Sequence, residues 1–141
     1  MVANITPVFG LKAILTGEVS ATAANTTKDL SSGTIYLLYT AQAADGGLLE
    51  RIRFEPRGTN VVTVARIFSN NGGVTTTPAN NLLIGQVLLP ATTLSEVAVN
   101  TMQPVDWVFN GGIPAGYRVY VVLSTVVAAG YQVSAFARDW S

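Results

Sequence analysis

The sequence predicts an all-β chain folded as a single-domain, jelly-roll-like β-sandwich of about eight strands. Three observations predict it. Val, Thr and Ile, the residues most at home on a pleated half-buried surface, make up 41 of 141 positions, whereas the helix-former Lys occurs twice. Short apolar runs alternate with clusters of turn-formers such as "ADGG", "RGTN", "SNNGG" and "NGGIPAG". No segment sustains a 3.6-residue apolar period over three turns, and "TTLSEVAVNTM" has the pattern for one short turn at most.

Taken in order, the elements begin with residues 1–15, "MVANITPVFGLKAIL", where Pro7 and Gly10 break regular structure while Ile5, Val8 and Phe9 are apolar anchors. This segment reads as an N-terminal arm or, alternatively, as an ordinary first strand; residues 16–141 form the sandwich domain. Strands are expected over 13–23, 33–41, 49–57, 61–69, 82–89, 105–110, 117–124 and 131–138. The longest uncharged stretch, residues 119–137, has the nineteen residues of a membrane span. Its five valines between 119 and 127, together with Ser124, Thr125, Gln132 and Ser134, instead fit two strands joined by "VVAAGY". Phe9, Trp107 and Phe109, each beside aliphatic residues, read as core or edge packing. Trp140, two positions into "DWS", is expected to dock on its own domain or on a neighbour.

Composition narrows the chemistry. The chain has no Cys and no His, which removes thiolate and imidazole metal sites, disulfides, and Ser-His or Cys-His nucleophile systems. The eight carboxylates show no paired spacing, so neither a metal site, a cofactor site nor a catalytic residue is assigned. Only 11% of residues are charged and the formal net charge is zero, against about 25% charged in an average soluble domain. Surface covered by partner subunits accounts for this deficit, with a Thr/Asn/Ser-rich monomer surface as the alternative. A neutral chain also lacks the cation excess that nucleic-acid binding requires. The N-terminus has no basic stretch ahead of an apolar one, so no secretory signal is expected, and the matches "NIT" and "NTT" to the glycosylation sequon read as chance.

Four of the eight basic residues fall in "RIRFEPRGTNVVTVARIF", residues 51–68. Read as a hairpin about Gly58-Thr59-Asn60, this stretch turns Ile52 and Phe54 to one face and Arg51, Arg53 and Glu55 to the other. Pairing Ile52 with Ile67 would set Arg66 beside Arg53; a one-residue slip would bury Arg66 with Phe54 at high cost. The row Arg51, Arg53 and Arg66, mixed with Glu50 and Glu55, is therefore expected to be a protein interface, for which guanidinium groups are well suited. A solvated mixed-charge face is the alternative.

Three segments, "RIRFEPRGTNVVTVARIFSNNG", "NNLLIGQVLLPATTLSEVAV" and "IPAGYRVYVVLSTVVAAGYQVSA", resemble a family of small tailed-bacteriophage virion proteins whose jelly-roll members are likened to capsid decoration (cement) proteins. The resemblance covers residues 49–137; residues 1–48 match only in style. It implies a non-enzymatic structural protein, made in the host bacterial cytoplasm and placed on the capsid exterior of the virion, with no cofactor. The implied partners are further copies in a homotrimer and the major capsid protein, with no nucleic acid and no membrane. Ile5, Val8, Phe9, Arg51, Arg53, Arg66 and Trp140 are the expected interface residues. A tail or fibre component whose jelly roll binds carbohydrate through Trp107, Trp140 or a loop tyrosine is the alternative.

Overall fold

In the computed structural model, which describes residues 12–99 and 103–140, all eight expected strands form. They are β1 (Lys12–Ala21), β2 (Tyr36–Thr40), β3 (Gly47–Pro56), β4 (Thr63–Asn70), β5 (Asn81–Leu89), β6 (Val105–Ile113), β7 (Arg118–Leu123) and β8 (Tyr131–Asp139). A single 3₁₀ turn, Pro78–Asn80, is the only helical element among the described residues. Residues 119–137 divide into β7 and β8 as the valines predict, and no described helix is long and apolar enough to cross a membrane. Lys12 to Leu15, the last four positions of the expected arm, already belong to β1; Ile5, Val8 and Phe9 lie outside the described residues.

The strands form two four-stranded antiparallel sheets, ordered β1-β8-β3-β6 and β2-β7-β4-β5. First strand thus pairs with last, second with seventh, third with sixth and fourth with fifth, which is the double Greek-key wrapping of a jelly roll. Alternation, shifted by a bulge between Leu49 and Arg51, places Leu49, Ile52 and Phe54 of β3, Ala65 and Ile67 of β4, Val119, Val121 and Leu123 of β7, and Val133, Ala135 and Ala137 of β8 between the sheets, all buried in one core.

The expected β3–β4 hairpin does not form. β3 and β4 lie in opposite sheets: Ile52 stands between Trp107 and Ala135, and Ile67 between Gly85 and Val121. Both side chains still point into the core, because strand parity orients a residue inward in either sheet. The link between them carries the chain across the end of the sandwich and is tied down by Asn60. Its Oδ1 accepts from the amides of Ala129 (3.0 Å) and Gly130 (2.9 Å), and its Nδ2 donates to the Gly130 carbonyl (3.0 Å). Thr92 adds a two-way backbone bridge to Asn60. Those partners lie 32 to 70 residues away, so Asn60 serves the closure of the sandwich rather than a local turn.

The two faces of the sandwich differ. Tyr120 and Val122 of β7 and Phe68 of β4 point outward from their sheet but are covered by Leu30 and Ile35 of the β1–β2 segment, making a second small core. Asn25 pins that segment, donating from its backbone to the Leu123 carbonyl (2.6 Å) and from Nδ2 to the carbonyls of Ser32 and Thr34. Leu30 adopts a left-handed φ of 65° while almost fully buried, a strained conformation that its packing over Phe68 and Tyr120 offsets. Among the described residues, the outer face of the β1-β8-β3-β6 sheet has no such cover from a buried loop cluster.

Candidate interaction surface

On that uncovered face, outward residues of neighbouring strands line up in rows. One row runs Leu15 (β1), Phe136 (β8), Arg51 (β3), Val108 (β6), and the next runs Gly17, Ser134, Arg53, Asp106. The guanidinium carbon of Arg51 sits 4.2 Å from the centroid of the Phe136 ring, and that of Arg53 5.9 Å from it. A guanidinium over a ring face gains from the ring quadrupole and keeps its edge free for hydrogen bonds. Leu15 (66% exposed) and Val108 (63%) flank the pair, so the row presents apolar area where an outward sheet face ordinarily carries polar side chains.

Four of the charges on this face are paired, and Glu55 stands beside Arg53 without an ion pair among the described residues. Arg53 grips Asp106 with both arms, Nε to Oδ1 at 2.8 Å and Nη2 to Oδ2 at 2.9 Å. Those hydrogen bonds hold the Asp106 carboxyl below the ordinary aspartate range and raise the Arg53 guanidinium above its own. Arg138 pairs with Glu50 at 2.7 Å. Arg51 forms no ion pair among the described residues, and its Nε is shielded from water without a hydrogen-bond partner. It lies in an apolar row and acts on the Asp106 carboxylate through space without contacting it.

Of the expected interface residues, Arg51 and Arg53 are brought together over Phe136. Arg66 is not with them. It points outward from β4 on the opposite side of the sandwich, where its Nη1 donates to Ser124 Oγ at 2.8 Å. The row drawn through all three arginines is therefore corrected to a pair; the error follows from the hairpin, since residues on strands of different sheets cannot share an outer face. Trp140 follows β8, half-buried, with its amide donating to the Gly46 carbonyl at 3.2 Å, so its backbone is docked on its own domain. Trp107 and Phe109 stack at 5.3 Å between centroids and pack on the core as expected, Trp107 lying where a Cβ on Gly85 would come within 2.4 Å of it.

Phe136, Leu15, Val108 and Asp106 were missed by the sequence reading. A signal existed for Phe136: in "YQVSAFARD" the alternate positions Gln132, Ser134 and Arg138 are polar, and an aromatic at that parity marks an outward ring.

A second apolar surface lies on the loop after β5. Leu94, Val97 (97% exposed) and Val99 stand in solvent around Glu96. The loop is held in shape by Thr59 Oγ1, which accepts from the Leu94 amide at 2.9 Å, and by Ser95 Oγ, which accepts from the amides of Val97 and Ala98. Glu96 forms no ion pair among the described residues. The described residues contain no group of three or more Asp and Glu positioned to hold a metal ion. No family model matches this chain, and neither does any curated protein or solved structure.

Proposed function

We propose that this chain is a structural protein of a tailed-bacteriophage virion, a capsid decoration protein that binds the outside of the assembled head as a homotrimer and bridges neighbouring copies of the major capsid protein. The observation that carries the reading is the outer face of the β1-β8-β3-β6 sheet, where a Phe136–Arg51 stack lies between the exposed side chains of Leu15 and Val108. An arginine stacked on an aromatic ring between exposed aliphatic side chains is the composition of a protein interface. The sequence resemblance supplies the virion as its setting, and the jelly-roll topology and low charge agree with it.

The work of such a protein is added contact. A ligand that binds only the assembled shell lowers the free energy of that state alone, so pressure from packaged DNA must break more interface before subunits separate. No proton transfer or bond cleavage is required, and the reading is non-enzymatic. Trp107, stacked on Phe109 and directed at Gly85, is occupied within the sandwich, which weighs against its use as a sugar-stacking platform.

The test is binding of the purified, labelled protein to heads that lack it, followed by electron microscopy. Saturable label over the head surface, with improved resistance of filled heads to heat, is the expected result. Label on the tail, or none, would reject the reading. Deleting residues 2–10 should leave a folded domain that no longer binds heads; unfolding of the truncated chain would instead identify that segment as a strand of the domain.

A further inference from the structure

The two apolar patches carry opposite charges, neither of which forms an ion pair among the described residues. On the β1-β8-β3-β6 face, Arg51 lies between Leu15 and Val108 and forms no ion pair among the described residues, because Asp106, which it stabilises from a distance, is gripped by Arg53. On the loop after β5, Glu96 lies among Leu94, Val97 and Val99 and forms no ion pair among the described residues. Within one copy the two do not pair, and the loop is rooted elsewhere, through Leu94 on Thr59 and Thr92 on Asn60, beyond the far end of β3. Five residues of β3 separate Arg51 from that end, about 16 Å of strand.

We infer that the 94–99 loop of one copy docks on the Arg51–Phe136 row of the next, with Glu96 pairing to Arg51 and Val97 and Val99 covering Leu15 and Val108. This rests on the homo-oligomer reading above and supplies its contact. A carboxylate brought to Arg51 would meet a guanidinium already flattened on Phe136, with its free edge available for a two-pronged hydrogen bond, while the aliphatic residues on both sides exclude water from the pair. Because the two patches differ, the contact is head-to-tail; such a contact builds a ring where its rotation closes, and closure after three copies makes the trimer. A second copy is favoured over an unrelated partner because both halves of the match, in charge and in apolar flanks, are present on the same chain.

The test is charge exchange in the full chain, followed by sedimentation velocity over a wide concentration range. Arg51→Glu and Glu96→Arg should each weaken self-association by about ten-fold or more, because each sets like charges together, and the double variant should recover most of the loss. All these side chains are outward, and circular dichroism should show the wild-type melt for each. As a second measurement, differently tagged Val97→Cys and Val108→Cys chains, in a protein that otherwise has no cysteine, should form the mixed disulfide in preference to either like pair. Single variants that associate as wild type does, a double variant no better than the singles, or like pairs in place of the mixed one would each overturn this contact while leaving homo-oligomerisation intact. A wild-type chain that is monomeric at every concentration would overturn the contact and the trimer together, and head binding would then decide the decoration reading by itself.

Discussion

Replacing Asn60 tests how the sandwich closes. Asn60→Ala removes the acceptor of two amides and the donor to two carbonyls. The carbonyls keep other partners: that of Gly130 still accepts from the Arg57 amide, and that of Gly58 from Thr92 Oγ1. The amides of Ala129 and Gly130 do not. The Gly130 amide is buried and loses its hydrogen bond outright, at about 2 kcal/mol, and the partly buried Ala129 amide recovers some of its loss from water, leaving about 1 kcal/mol. A total of about 3 kcal/mol corresponds to a melting-temperature drop of about 9 °C for a chain of this size. Thermal unfolding by circular dichroism reads the drop, and amide hydrogen exchange should speed up at residues 129 and 130. Asn60→Gly discriminates between roles: a turn residue would tolerate glycine, whereas a cross-strand tie loses as much with glycine as with alanine. A drop below about 3 °C for alanine, or a glycine variant as stable as wild type, would refute the assignment.

Gly85→Ala drives a Cβ to within 2.4 Å of Trp107, so overpacking of about 1–3 kcal/mol and a red-shifted tryptophan emission are expected; an unchanged spectrum and melt would show that the two strands separate freely there. The Asp106 carboxyl is held low in the folded state by hydrogen bonds from Arg53, so its ionised form adds stability that is complete above the unfolded value of about 3.9 and fades as pH falls through the lower folded value. Asp106→Asn should therefore melt below wild type at neutral pH, with the gap closing as pH falls through the lowered folded value, and a gap independent of pH would exclude the pairing. Arg53→Glu should weaken self-association by about thirty-fold while Arg66→Glu, on the opposite face, changes it less than about two-fold; equal effects in sedimentation would contradict the separation of the two arginines.

The sequence by itself determined the strands and which way most side chains face. Ile52, Phe54, Ala65 and Ile67 point inward and Arg51, Arg53 and Arg66 outward as their parity requires, because the pleat is a local property of the backbone with a period of two. Tertiary structure decided which strands are neighbours. A short turn between two alternating strands is compatible with a hairpin or with a step from one sheet to the other, and the choice fell to contacts far along the chain, with β1 closing on β8, β3 on β6 and β8, and Asn60 on the loop before β8. The candidate surface divided along the same line. The outward arginines and, in hindsight, Phe136 were legible as positions, but the Arg51–Phe136 stack joins residues 85 apart in sequence, and no local pattern reports that two outward side chains will meet. It was the sheet order, set by burying a shared core from both ends of the chain, that separated Arg66 from Arg53 and gave Asp106 to Arg53 rather than to Arg51.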